Sequence, residues 1–498
     1  MPGGGGRNVP VLLGIDAGQT VIKAALFDLS GREIAVARGT TAVSSPHPGW
    51  QERDLDAAWD VAADAVHRAL QAADVDPTAV LAVGLCGHND GAHLVDAAQR
   101  PVRPAILATD SRAVEEASAL RKAAGDEALT LTGQVPWPWN PAGLLAWLRT
   151  HEPSALEAAD ALLYCKDWLR LRLVGEVATD PTDGSAFATD LWTQEWSTAV
   201  LELYGLEEFA RLLPPMRRSS DVVGGVTAEA SARTGLRVGT PVVTGCHDVD
   251  ANALGIGATG TGALSLVLGT FSINQVVGNA PVADPRWQAR TFFPDGGAPR
   301  WLHMSTSPSG ASNLEWAVRQ FSASYDEAIA AASARDGGLV PHPDDPVYLP
   351  HLFGAPVPST GAGLVGLRGW HSRADVFRAV LEGVVFNHRW HVSALGSSFP
   401  LRGAARLCGG GARSAEWSQL LADALGLPVE ITDATEAGAR GAAMLAGVGV
   451  GVYPDLGAAV DACVRVVRRH EPERDLDERY ARYVAVTEAL RGPVSGFG

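Results

Sequence analysis

Two distant stretches of this 498-residue chain follow one plan. "VLLGIDAGQTVIKAALF" (11–27) reads as an apolar strand, a Gly-containing turn and a second apolar strand, and "ALSLVLGTFSINQVVG" (263–278) repeats it. Strands and helices alternate after each. Residues 54–73, 112–126, 141–151 and 154–160 read as helices, 79–87 and 241–248 as buried strands, and 92–107 as a hairpin or strand pair. The alternation resumes through 406–432 and 436–451. A repeat on this scale predicts two α/β domains, each with its own core, and the chain is too long for a single one. The expected division falls near 257–262, giving domains at 11–257 and 258–490, with the Pro- and Gly-rich 280–300 as a connection inside the second half.

Charge narrows the partners. The net charge of −16 argues against nucleic acid, whose phosphates call for clustered Lys and Arg. The five cysteines (86, 165, 246, 408 and 463) form no C-x-x-C pair, so neither a disulfide framework nor a zinc site is expected, and a reducing cytoplasm fits. The N-terminus carries a Gly run, expected to be flexible, and the apolar Val11–Ile15 is too short for a signal peptide. No run approaches the ~18 apolar residues of a membrane span, so no membrane partner is expected, and homodimerisation stays open.

In "GIDAGQT", Asp16 ends a strand and Gly18, Gln19 and Thr20 form the turn. Such a turn can offer backbone N–H groups and a hydroxyl to an anion, Asp16 can hold a hydrated Mg²⁺, and Lys23 can reach a terminal phosphate. An ordinary hairpin uses the same residues for its turn alone. "LGTFS" offers Gly269 and Thr270 in the matching place, and one such turn in each half is stronger than either alone. No G-x-x-x-x-G-K-[ST] motif is present. Gly409, Gly410 and Gly411 leave a strand toward an amphipathic helix with Ser414 as its cap; they either let a flat ligand press on the backbone or merely make the turn. "GCHDVDANALGIG" (245–257) ends a strand on Asp248, which reads as a helix cap, a base facing a ligand, or both. Asp250 carries no assigned chemistry.

Together these segments resemble the FGGY carbohydrate kinases of the hexokinase–Hsp70–actin superfamily. The resemblance rests on "GIDAGQTVIKAALFD", "GCHDVDANALGIG", "LGTFSINQ", "GGGARSAEWSQLLADALGLPV" and "EAGARGAAMLAGVGVG", supported by "SSPHPGWQERDLDAAW" and "RPAILATDSR", in family order over about 11–455. It implies two RNase-H-like domains flanking a cleft, ATP with Mg²⁺, and phosphorylation of a small sugar or polyol. It also implies that the two hairpins clasp phosphates, that Asp248 takes the proton of the attacking hydroxyl, and that the two domains close on the sugar.

For the sugar, "GHNDG" supplies His88 and Asp90, and Asp110 matches a sugar-contacting acid of many members. Xylulose kinases typically read "GLSGQMHG" where this chain has "GLCGHNDG" (84–91), so Asp90 stands in place of His and disfavours D-xylulose. Trp137 and Trp139 either give the sugar an aromatic face or pack a loop. "MSTSPSGASNLEWAVRQF" (304–321) resembles the L-xylulose/3-keto-L-gulonate kinase branch, with Gly310 near the ATP phosphates or ribose. Kinases for D-xylulose, L-ribulose or erythritol are the alternatives. A non-kinase actin- or Hsp70-like ATPase would need none of the sugar-facing motifs, and an inactive sugar sensor would not need Asp16, Thr20, Asp248 and Thr270 together.

Overall fold

Strand Val11–Ala17 pairs antiparallel with Val21–Asp28 and parallel with Val80–Gly87, so Asp16 faces Lys23 on one side and Cys86 on the other. Glu33–Thr40 extends the antiparallel edge, and Pro241–Val243 and Val222–Gly225 extend the other, in the order 33–40, 21–28, 11–17, 80–87, 241–243, 222–225. The computed structural model describes residues 9–334, 339–352 and 361–490; the N-terminal Gly run lies outside the described residues.

The second sheet repeats the plan. Leu264–Leu268 pairs antiparallel with Ser272–Gly278 and parallel with Ala405–Cys408, followed by the parallel Val429–Thr432 and the antiparallel Val466–His470. Both sheets thus share a central plan, an antiparallel pair followed by two parallel strands and an antiparallel edge strand, in a mixed α/β chain of two compact units.

The units interleave in sequence. The first comprises residues 1–259, 279–302 and 434–464, and the second 260–278, 303–433 and 465–498. Residues 280–300, expected as a connection in the second half, instead fall in the first unit and carry strand Gln288–Asp295, which turns through Gly296 and Gly297 into Ala298–Ser307. Both glycines sit at positive φ (54° and 85°), the conformation a tight hairpin turn needs.

Helix Leu55–Ala73 starts at Asp54, whose carboxylate accepts from the Ala57 N–H at 2.8 Å, and buries Leu55, Trp59 and Val66 in the first unit's core. Helix Ala437–Gly449 joins the same unit because its partners are glycines. A Cβ on Gly14 would fall 1.8 Å from the Ala439 carbonyl oxygen, and one on Gly84 1.9 Å from that of Ala442. The second unit has a separate core around Leu266, Phe377, Val384 and Leu420. All five cysteines are buried thiols. Among the described residues no helix is long and apolar enough to cross a membrane.

Candidate functional site

Parallel strands place the acids of the first unit. After Pro241–Val243 the chain turns at Gly245 (φ 84°), where a Cβ would meet the Leu85 carbonyl oxygen at 2.3 Å. Cys246 and His247 then pair with Cys86 and Gly87, and helix Asp248–Gly255 begins. Asp16 and Asp248 thus stand at the carboxyl ends of strands on either side of Val80–Gly87, the end of an open α/β sheet where ligands bind. Asp248 is the first helical residue rather than the cap, a place taken by His247 without a side-chain cap bond.

The Asp248 carboxylate keeps 28% of its surface open. Burial, reinforced by the Asp16 charge, pushes its pKa up to about 7, against weaker opposition from the Val249 N–H, Arg290 and Lys23. His247 Nε2 lies 3.2 Å from Asp248 Oδ1, and burial holds this imidazole well below its usual range, so it is neutral. Asp250 is closed off, with neither carboxylate oxygen hydrogen-bonded, and burial and Asp180 push it well above the carboxylate range.

Asp16 has loose company. Its Oδ2 lies 3.6 Å from Lys23 Nζ and its Oδ1 3.7 Å from the Cys86 thiol. Burial raises its pKa against the pull of Lys23. Lys23 is 2.9 Å from Glu436, which also pairs with Arg38. Gly438 would put a Cβ 3.1 Å from Asp16 Oδ2, so its lack of a side chain keeps this carboxylate clear. In the turn, the Gly18 N–H donates to Val21 O at 3.1 Å, Gln19 Oε1 accepts from Thr109, and Thr20 is exposed.

Of the sugar candidates, Asp90 sits at φ 62° and faces Arg290, with 3.4 Å between Oδ2 and Nη2. His88 is buried with Nε2 unpartnered. His88, His93 and Cys165 bring potential ligand atoms within 4.8 Å of one another, but Arg53 donates to Cys165 Sγ at 3.8 Å and sets a fixed positive charge against the group. Asp110 is engaged within the protein. Its carboxylate is wholly buried and accepts from the Gln51 N–H (2.6 Å), the Arg112 N–H (2.8 Å) and the Arg112 guanidinium through Nε and Nη2 (both 2.9 Å). No acceptor is left for a substrate. Trp137 and Trp139 stack on each other, 5.7 Å apart and 5° from parallel, with Arg121 over Trp137.

The second unit holds a cavity of about 1050 Å³ lined by Gly269, Thr270, Gly410, Gly411 and Ser414, with Tyr325, Trp417, Arg413 and Arg468. Glycines, hydroxyls and two guanidinium groups beside an aromatic wall suit a phosphorylated aromatic ligand. A Cβ on Gly410 would meet nothing within 4 Å, so a side chain there would project into open space. Ser414 caps helix Ala415–Leu425 as expected, accepting from Trp417 N at 3.1 Å. Gly310 does not line this cavity. It packs under the hairpin turn, where a Cβ would lie 2.3 Å from Gly269 O.

The sequence did not reveal Arg290, Glu436, His247 or the buried cluster of Lys166 with Asp167, Asp180 and Asp183. The Gly296–Gly297 pair between two aromatic-rich segments was the available signal for the strand that carries Arg290.

The "FGGY family of carbohydrate kinases, N-terminal domain" matches residues 11–255, and its C-terminal domain matches 264–450. The L-xylulose/3-keto-L-gulonate kinase of Escherichia coli (strain K12) is 32% identical, over 96% of this chain and 97% of its own. The xylulose kinase of the same strain is 31% identical, over 96% and 97%. The crystal structure of xylulose kinase from Rhodospirillum rubrum is similar with a TM-score of 0.85 at 28% identity, covering 96% of this chain and 99% of that one.

Proposed function

The chain belongs to the FGGY family of carbohydrate kinases and is a carbohydrate kinase, and from that premise we propose that it moves the terminal phosphoryl group of ATP to a hydroxyl of a ketopentose, L-xylulose foremost, with Asp248 as the base. The observation that carries this reading is Asp248 itself. It is a partly open carboxyl at the end of a parallel strand, with its pKa raised to about 7. A base is most effective when its pKa lies near the working pH, and an ordinary Asp near 3.9 accepts a proton poorly.

In the first unit the sugar sits against Asp248, His88 and Asp90. Asp248 accepts a hydrogen bond from the attacking hydroxyl, aligns it, and takes its proton as the bond to phosphorus forms. Neutral His247, 3.2 Å from Asp248 Oδ1, can donate to that oxygen and leave the other for the substrate. In the second unit the glycine turns at 269 and 410–411, with Thr270 and Ser414, receive the nucleotide. Gly18, Gln19 and Thr20 receive phosphate from the first unit's turn, and Lys23 exchanges Glu436 for it. Asp16, partly buried and no nearer than 3.6 Å to the Lys23 ammonium, fits Mg²⁺. When bound, Mg²⁺ spreads the charge of the transferring phosphoryl group.

L-Xylulose leads for two reasons. The relative described above carries that sugar in its name, beside the sugar acid 3-keto-L-gulonate, and Asp90 replaces the His typical of xylulose kinases. The test is sugar-dependent ADP release from MgATP with L-xylulose, D-xylulose, L-ribulose and erythritol. L-Xylulose is expected to give the highest kcat/KM. D-Xylulose as the best substrate would overturn the sugar assignment, and ADP release indifferent to all four would overturn the kinase reading of the site.

A further inference from the structure

Arg290 reaches the sugar candidates from a strand that sequence patterning reads as a connection. Its guanidinium is buried, and three of its contacts are polar: Nε donates to Gln288 Oε1 at 3.1 Å, and Nη2 lies 3.3 Å from Gln134 Oε1 and 3.4 Å from Asp90 Oδ2. Nη1 has no hydrogen-bond partner and neither does Asp90 Oδ1, while burial raises the Asp90 pKa against the pull of Arg290 and of the nearby Asn140 side chain. A buried donor and a buried acceptor left open on one ion pair are costly unless something fills them. Asp248, the proposed base, feels the Arg290 charge, which places the pair in the same neighbourhood. Asp90 is held in place by its backbone, at φ 62° with its N–H turned onto its neighbour Asn89, whose amide donates to Asp183 at 2.8 Å.

We propose that Arg290 and Asp90 act as one specificity-determining pair, Nη1 donating to and Oδ1 accepting from adjacent oxygens of a neutral sugar, and that the pair excludes sugar acids. The inference rests on the reading of Asp248 and its surroundings as the sugar site. Its logic is charge. Were Arg290 alone, its open Nη1 would invite a carboxylate. Asp90 already answers that charge and sets an open carboxylate oxygen beside the donor. A hydroxyl or ketone oxygen can accept from Nη1 while a neighbouring hydroxyl donates to Oδ1. A substrate carboxylate can do the first but not the second, and it meets Asp90 as a like charge, which repels it.

The experiment compares kcat/KM for L-xylulose and for the five-carbon aldonate L-xylonate in wild type, Asp90→Asn and Arg290→Gln, with calorimetric binding of each sugar alone and thermal melts as a check of folding. Wild type is expected to prefer the ketose by at least ~10²-fold, since a mispaired buried group can discriminate more strongly still. Asp90→Asn keeps the shape and removes the opposing charge, so the ketose-to-aldonate ratio should fall about tenfold or more, with tighter binding of the aldonate. Arg290→Gln should weaken ketose binding about tenfold or more. Each variant decides alone if the other fails to fold, and Arg290→Lys, which keeps the charge and loses the open Nη1, replaces both if neither folds and should weaken the ketose in the same way. A wild type that uses the aldonate as well as the ketose overturns the proposal, as does an Asp90→Asn ratio equal to wild type or ketose binding unchanged in the Arg290 variants. If wild type phosphorylates the ketose but the ratios do not move, this inference alone fails. If wild type phosphorylates no sugar, the reading of the site fails and takes the inference with it.

Discussion

Replacing Asp248 with Asn is expected to lower kcat by ~10²–10⁴-fold, the usual loss when a general base is removed. The isosteric amide keeps the first turn of helix Asp248–Gly255 and its contact with His247, but it cannot take a proton. Nucleotide binding should be unchanged, because the cavity lined by Gly269, Thr270 and Gly410 belongs to the second unit. Stability should move the other way. Asp248 has a folded pKa of about 7, above its unfolded value, so its ionisation opposes folding as pH rises through this interval. The Asn variant should therefore melt at or above the wild-type temperature at pH 8, and the two should converge toward pH 4. A variant that turns over at the wild-type rate removes Asp248 from the chemistry. One that loses activity because it melts early makes the residue structural.

The second large effect is expected from Lys166→Met. Lys166 Nζ lies 2.7 Å from Asp167, 3.0 Å from Asp180 and 2.9 Å from Asp183, and all four side chains are fully buried. Arg170 adds a second cation, 2.8 Å from Asp167. Burial, reinforced by Asp180 and Asp167 against the pull of Lys166, pushes Asp183 well above the carboxylate range. Removing Lys166 leaves an uncompensated buried charge, a loss of about 3–5 kcal/mol. The orphaned carboxyls then have folded pKa values above their unfolded ones, so the deficit should grow as pH rises and shrink toward acid. The cluster also supports the site. Thr182 Oγ1 accepts from the His247 N–H at 2.9 Å, and Asp183 accepts from Asn89 at 2.8 Å. Thermal melts at pH 5 and pH 8 check both points. Superimposable curves for variant and wild type would make the cluster dispensable.

Local patterns carried the legible part of this chain. Both strand–turn–strand openings, the strand at 80–87, the helix after Asp54 and the Ser414 cap each depend on neighbours in sequence, and each is where periodicity places it. Pairings across the chain left no such trace. Glu436 meets Lys23 and Arg38 only because the close-packed glycines bring helix Ala437–Gly449 against the first sheet. Arg290 meets Asp90 through a hairpin whose glycines look, in isolation, like a connecting loop. Asp110 shows another kind of hidden contact. Its position matches a sugar-contacting acid, yet Arg112, two residues on, takes its carboxylate from both sides. Sequence position cannot reveal that a side chain is already fully engaged.

The raised pKa of Asp248 makes the central claim directly measurable, as kcat/KM for L-xylulose between pH 5 and pH 9 at saturating MgATP, followed through the phosphosugar itself in wild type and Asp248→Asn. A base works deprotonated, so wild-type kcat/KM should be highest above neutrality and fall tenfold per pH unit below a midpoint near 7, and this limb should be missing from the residual activity of the variant. A wild-type profile flat down to pH 5, as an ordinary carboxylate would give, or an identical limb in both proteins, would contradict the assignment of Asp248 as the base.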